Sequence, residues 1–265
     1  MLKQLNSVNF MNVSNGDIYK LGDHTLLCGD ATNKEMVDIL LKERSINLIL
    51  CDPPYSVNYV ESKRGFRQNI AKPKEIIGDH IQTEAEYQEF TNVWLSCAAQ
   101  YMTKKNSVYI FNSDKMLFPL REGMLQAGYK FTQLLIWAKT HAVIGRMDYL
   151  PQHELIAYGW YGTHKFHKSK DKSVLVYPKP NKSKYHPTMK PIGLLRRIIL
   201  NGSKVGDVVY DPFGGSGSTL MACEQTKRKC LMIELDTEYC ETIIMLWEMF
   251  TGKKAKLIKN IYETS

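Results

Sequence analysis

Short β-rich runs alternate with helical stretches along nearly the whole chain, and this alternation limits the fold more than any other feature. Runs rich in β-branched and aromatic residues occupy 25–28, 46–51, 107–111, 131–137, 155–158, 208–210 and 230–233. Segments 34–42, 84–102, 116–127, 192–201, 218–225 and 237–250 carry apolar residues at helical spacing. Strands separated by helices pair in parallel, because each crossover passes over the sheet before the chain re-enters it. The expected fold is α/β: a doubly wound, mostly parallel sheet with an antiparallel edge, taking ligands beyond the carboxyl ends of its strands. A length of 265 residues suits one such domain spanning 1–265.

One stretch departs from the alternation. Between Lys139 and Lys190, ten Lys/Arg stand against three acids, Asp148, Glu154 and Asp171. Five of the seven histidines fall there, with aromatic residues that include Tyr149, Trp160 and Phe166. That composition suits an insertion, 140–185, carrying a nucleic-acid face. The net charge of +8 and pI near 9.0 point the same way, toward a polyanionic partner.

Other classes are disfavoured. The six cysteines lie far apart with no Cys-x-x-Cys pair, as expected of free thiols in a reducing cytoplasm rather than disulfides or zinc ligands. No apolar run approaches the roughly 18 residues of a membrane span, and no N-terminal run resembles a signal peptide. A cytoplasmic protein is expected. His164 and His167 lack a third ligand nearby and read as surface histidines, so no metal is expected.

Residues 46–55, Ile-Asn-Leu-Ile-Leu-Cys-Asp-Pro-Pro-Tyr, read as an apolar strand ending in Asp52, Pro53, Pro54 and Tyr55. Each proline fixes its own φ and keeps the preceding residue out of the helical region, holding Asp52 and Pro53 extended. The Asp52 carboxylate and the Pro53 carbonyl can then face one small volume. Two acceptors side by side suit an NH2 group with two hydrogens to donate. Tyr55 offers a flat ring to stack on the base that carries the amine. The exocyclic amine of adenine or cytosine is a poor nucleophile, because its lone pair is delocalised into the ring. Accepting its hydrogens favours a pyramidal nitrogen and stabilises the positive charge that grows as it attacks a methyl sulfonium. Such chemistry needs positioning and electrostatics, not a metal.

Residues 208–219 run from an apolar strand through Asp211, Phe213, Gly214, Gly215, Ser216 and Gly217 into a helix opened by Ser218 and Thr219. Glycines let the backbone turn tightly and approach a ligand. Twenty residues beyond Gly214, the next strand ends at Glu234, with Asp236 close behind. An acid at that distance suits ribose hydroxyls. No Lys follows the glycines, as a P-loop would require, and Leu220 stands where a dinucleotide fold would want a small residue. Asp211 would repel a phosphate but suits a cationic amino acid or sulfonium. The loop therefore fits S-adenosyl-L-methionine better than ATP or NAD.

Together these motifs resemble the amino-methyltransferases of DNA, in particular the circularly permuted group whose catalytic motif precedes the cofactor loop. The resemblance covers nearly the whole chain. It implies a Rossmann-like class I S-adenosylmethionine-dependent methyltransferase fold, with Asp52 to Tyr55 as catalytic motif and Asp211 to Gly217 as cofactor loop. It further implies that Glu234 holds the ribose, with Asp236 as helper, and that Asp30 approaches the cofactor's adenine. Thr188 and Lys190, in a His-Pro-Thr-Met-Lys-Pro segment, would lie beside its methionine end. The basic insertion falls where such enzymes carry a target-recognition region. A departure is the lack of Arg near residues 245–247.

The expected activity is site-specific methylation of a flipped adenine in double-stranded DNA, giving N6-methyladenine. The alternatives are the same chemistry on cytosine N4, RNA or protein methylation, and a non-catalytic DNA-binding relative. Asp rather than Ser before Pro-Pro-Tyr favours adenine by family resemblance. Lys63, Arg64 and Arg67 after the catalytic motif are candidate phosphate contacts that help offset the cost of flipping a base. So are Arg146, Lys165, Lys168, Lys170 and Lys172 in the insertion. No cysteine follows a proline, as carbon methylation of cytosine would require, and the motifs of a zinc deaminase are absent. A homodimer and a restriction nuclease partner both remain open.

Overall fold

The computed structural model describes residues 12–54, 83–142, 148–168, 170–180 and 189–263. A hairpin of β1 (Asp17–Leu21) and β2 (His24–Cys28) leads to α1 (Lys34–Leu41), β3 (Ile46–Cys51), α2 (Glu84–Ala99), β4 (Met102–Asn112) and α3 (Leu117–Gln126). Then come β5 (Tyr129–Ala138), β6 (His153–Tyr161), the short β7 (Thr163–His164) and β8 (Val174–Val176). The chain closes with α4 (Ile192–Gly202), β9 (Val208–Asp211), α5 (Ser218–Thr226), β10 (Lys229–Glu234), α6 (Thr237–Thr251) and β11 (Lys256–Asn260). Helix starts follow local chemistry. Asn33 accepts from the amides of Glu35 and Met36 at α1, and Thr83 with Glu86 forms a capping box at α2.

The sheet order is β11-β1-β2-β10-β9-β3-β4-β6-β5-β8, with β7 against β4. β2, β10, β9, β3 and β4 run parallel through the middle. Helices cover both faces. Leu48, Leu50, Val209 and Met232 pack on one side with Leu194, Ile198, Leu220 and Ile243 of α4, α5 and α6. Ile49, Cys51, Tyr210 and Ile233 pack on the other with Val37, Trp94, Leu95 and Leu120 of α1, α2 and α3. Burial on both faces explains why these strands read as near-continuous apolar runs.

From β9 the chain crosses to β10 on one side, whereas from β3 it proceeds to β4 on the other. The sheet therefore reverses its winding between β9 and β3, and a crevice opens there at the carboxyl rim.

Several expectations are revised. Antiparallel strands extend the sheet on both sides, β1 and β11 beyond β2, and β6 and β5 beyond β4. β6, within 140–185, lies inside the sheet itself. β4 begins five residues earlier than its apolar run, since Lys104 and Lys105 are exposed there. Lys256 opens an edge strand, β11, where lysine discourages further pairing. All six cysteines are buried as free thiols. Among the described residues, no helix is long and apolar enough to cross a membrane.

Leu48 is fully buried, whereas Ile258 on β11 is 54% exposed. Leu48→Ala should cost about 2–5 kcal/mol, and Ile258→Thr within about 0.5 kcal/mol. Urea unfolding midpoints at constant m-value check both.

Candidate active site

The carboxyl rim gathers Asp30, Asp52, Asp211, the glycine turn and Glu234 among the residues singled out by sequence. Ile49 pairs with Tyr210, so Asp52, just beyond β3, and Asp211, at the end of β9, reach the rim on neighbouring strands. Burial lifts the Asp211 carboxyl to about 8, against hydrogen bonds from Thr219 and from the Phe213 amide, with Asp52 adding to the rise.

The glycine turn is built tightly against β10 and α6. Gly217 has φ +75 and precedes α5, and a Cβ there would stand 3.0 Å from Ile243. A Cβ on Gly214 would meet the Met232 sulfur at 2.8 Å. Ser216 and Ser218 hydroxyls lie 2.7 Å apart within the turn. Phe213 packs edge-on to Trp94 and tilted on Phe90, which ties the turn to α2.

Glu234 closes β10. Its carboxylate accepts from the Gly215 amide at 2.6 Å and from the Asp236 amide at 2.8 Å. Burial nonetheless lifts it to about 7. Asp236 caps α6, accepting from the amides of Glu238 and Tyr239. Asp30 follows β2, the neighbour of β10, and its carboxylate accepts from the Thr32 amide and hydroxyl, 2.8 Å each. Asp30, Glu234, the glycine turn and Asp52 thus share one rim.

The structure adds a chain of charges that sequence reasoning missed. The Lys190 ammonium bonds Asp52 Oδ2 and lies 3.3 Å from Glu154 Oε2, while Lys139 meets Glu154 Oε1 at 2.8 Å. Lys190 and Lys139 are buried, at 8% and 6% side-chain exposure. Their cations lie over the rings of Phe111 and Trp137 respectively. Glu154 was visible only as an acid opening an apolar strand within a basic stretch. Burial pushes the Asp52 carboxyl up, and Lys190 pulls it back. Burial also disfavours the Lys190 ammonium, but Asp52 and Glu154 outweigh it and raise its pKa.

Other predicted residues lie elsewhere. β6 is antiparallel to β4, and β7 pairs with Lys105 and Asn106 near the start of β4. The chain leaving β7 places Lys165 and Lys168 at the amino rim, away from Asp52. Lys170 and Lys172 line a shallow groove of about 520 Å³ with Asp171 and Arg197. Tyr55, Lys63, Arg64, Arg67, Arg146 and Thr188 lie outside the described residues.

With this geometry established, relatives decide the family. The N6/N4 DNA methylase family matches residues 46–245, from the first residue of β3 into α6. The chain belongs to the N6/N4 DNA methylase family. It is 28% identical over 245 residues to the type II methyltransferase M.HpaI of Haemophilus parainfluenzae, covering 83% of this chain and 72% of that protein. It is 24% identical over 220 residues to M2.MboI of Moraxella bovis, covering 76% and 80%. The M1.HpyAVI–SAM complex shares the fold, with TM-score 0.60 and 22% identity over 82% of this chain and 96% of that one. The cytosine-N4-specific PvuII methyltransferase does so at TM-score 0.63 and 14% identity, over 87% and 94%. This DNA methylase is S-adenosylmethionine-dependent, and its site fits that cofactor. Two buried acids, Asp211 and Glu234, form no ion pair among the described residues, and a sulfonium amino acid brings cations to that rim.

That fit has a pH signature. A cationic ligand favours the ionised acids, so binding should release protons, and affinity should rise with pH until Asp211 is already ionised, above about 8. Calorimetry between pH 6 and 9 in buffers of different ionisation enthalpy checks it.

Proposed function

We propose that this methylase modifies the N6 amine of an adenine flipped out of duplex DNA, with Asp52 as acceptor. One observation carries the reading: Asp52 Oδ1 is buried with no hydrogen-bond partner among the described residues, beside the crevice that Asp211 and the glycine turn border. An unpartnered buried acceptor is costly, and an amine hydrogen satisfies it. S-adenosylmethionine, when bound, supplies an activated methyl group. Glu234 and Asp30 are assigned to its ribose and adenine, and Asp211 to its charged end. Asp52 and the Pro53 carbonyl accept the two amine hydrogens, which leaves the nitrogen lone pair directed at the methyl. When the nitrogen has gained the methyl, Asp52 removes its surplus proton. The adenine assignment rests on Asp at position 52, where cytosine-acting relatives more often carry Ser.

DNA is assigned to the rim side of the molecule. Lys139 and Gln152 exchange hydrogen bonds of 2.8 and 3.0 Å, closing the base of a loop that leaves the sheet beside Glu154. Tyr149 on this loop is 91% exposed. We assign target recognition to this part of 140–185, and phosphate contacts to Lys63, Arg64, Arg67 and Arg146. We assign further phosphate contacts to Lys170 and Lys172, in the groove beside Arg197 of α4. Contact by Lys165 or Lys168 requires a duplex that continues around the β8 edge.

Incubating the protein with unmethylated DNA and labelled cofactor, then resolving the nucleosides, should give N6-methyladenine. N4-methylcytosine alone would overturn the adenine assignment, and label in RNA or protein alone would overturn DNA as substrate. Asp52→Ala should lower turnover by about 10³-fold or more while cofactor affinity stays within severalfold. Full activity of that variant would remove Asp52 from the chemistry.

A further inference from the structure

The charge chain at the rim has a direction. Asp52 stands at one end, followed by Lys190, Glu154 and Lys139, alternating in sign across the carboxyl edge from β3 to β5. Topology explains how four residues so distant in sequence meet. β6 is antiparallel to both β4 and β5, so the start of β6 and the end of β5 share the rim where β3 and β4 end. Glu154 sits opposite Trp137 in that register, two residues before Lys139.

The two oxygens of Asp52 are treated differently. Oδ2 accepts from Lys190, whereas Oδ1 is buried and unpartnered among the described residues. A carboxylate held through one oxygen cannot rotate freely, so its other oxygen is presented in a fixed direction. Lys190 itself has little freedom. Its ammonium is tethered by Glu154, which is held in turn by Lys139, and it lies 5.1 Å from the centre of the Phe111 ring.

We propose that Lys190 is a positioning residue for methyl transfer: it clamps Oδ2 of Asp52 so that Oδ1 alone receives the amine proton, and Glu154 with Lys139 sets how strongly it does so. This rests on Asp52 being the acceptor in the reading above, and gives Lys190 a place on the catalytic side of the crevice.

An electrostatic consequence distinguishes the clamp from simple packing. The groups around Asp52 are Lys190, Glu154 and Lys139 on one side, with Cys51 on its own strand, Tyr87 of α2 and Asp211 of β9 on the others. Lys190 favours the ionised carboxylate, whereas Glu154 disfavours it. Removing each charge should therefore move the acidic limb of the rate profile in opposite directions.

The test is single-turnover methyl transfer to unmethylated DNA across pH, for wild type, Lys190→Met, Lys190→Arg and Glu154→Gln, with S-adenosylmethionine affinity measured alongside. Lys190→Met should lower the rate by about 10²-fold or more and move the acidic limb upward, leaving affinity within about twofold. Lys190→Arg should restore part of the rate and return the limb toward wild type. Glu154→Gln, close in shape, should move the limb downward, and it carries the test alone should Lys190→Met fail to fold. An unmoved limb in both variants, or movement in the same direction, overturns the clamp. Lost affinity in Lys190→Met with an unmoved limb overturns it too, and returns Lys190 to the cofactor. No transfer to DNA by the wild type would instead overturn the functional reading and this inference with it.

Discussion

Burying carboxylates of like charge along one rim is costly, and this sheet does so at Asp211 and Glu234, with the half-buried Asp52 beside them. Asp52 is offset by the Lys190 ammonium. Asp211 and Glu234 are held by backbone amides and a hydroxyl, which are weaker than a cation, and both keep their protons to unusually high pH. The rim is thus preorganised for something it does not itself supply, a positively charged ligand lying between the two strands. Electrostatic demand, more than the size of any cavity, is what suits this crevice to a sulfonium nucleoside.

The permuted order of motifs becomes simple once the sheet is considered. β9 and β10 come late in the chain, yet they lie between β2 and β3, which come early. The strands that end at Asp52 and at Asp211 are neighbours because β9 and β10 are laid between β2 and β3, and the winding reverses at their junction. The same arrangement brings Asp30, at the end of β2, next to Glu234, at the end of β10. Antiparallel β6 then carries Glu154 back to the rim, which no βα unit could have done from its amino end.

Much of this was legible in the sequence, for physical reasons. Parallel strands buried on both faces are apolar throughout, so 46–51 and 230–233 stood out, and the glycines and prolines marked the turns that matter. The strands that escaped notice are those with one exposed face or an edge position. β1 and β11 mix Asp17, Lys20, Lys256 and Lys259 with apolar residues, and only their pairing shows them to be strands. The charge chain escaped for another reason. Lys139 and Glu154 looked like surface charges in a basic stretch, and Lys190 like a contact for the cofactor's methionine end, because nothing in local pattern distinguishes a buried pair from a solvated one. Only the register of β5 on β6, with Trp137 against Glu154, brings Lys139 to Glu154, and only the tertiary fold adds Lys190.

The account turns on where a bound cofactor sits. A crystal structure of this protein with S-adenosylmethionine should show the ribose at Glu234 and the sulfonium in the crevice between β3 and β9, its methyl turned toward Asp52. A nucleoside held outside that crevice, or one whose methyl faces away from Asp52, would contradict it.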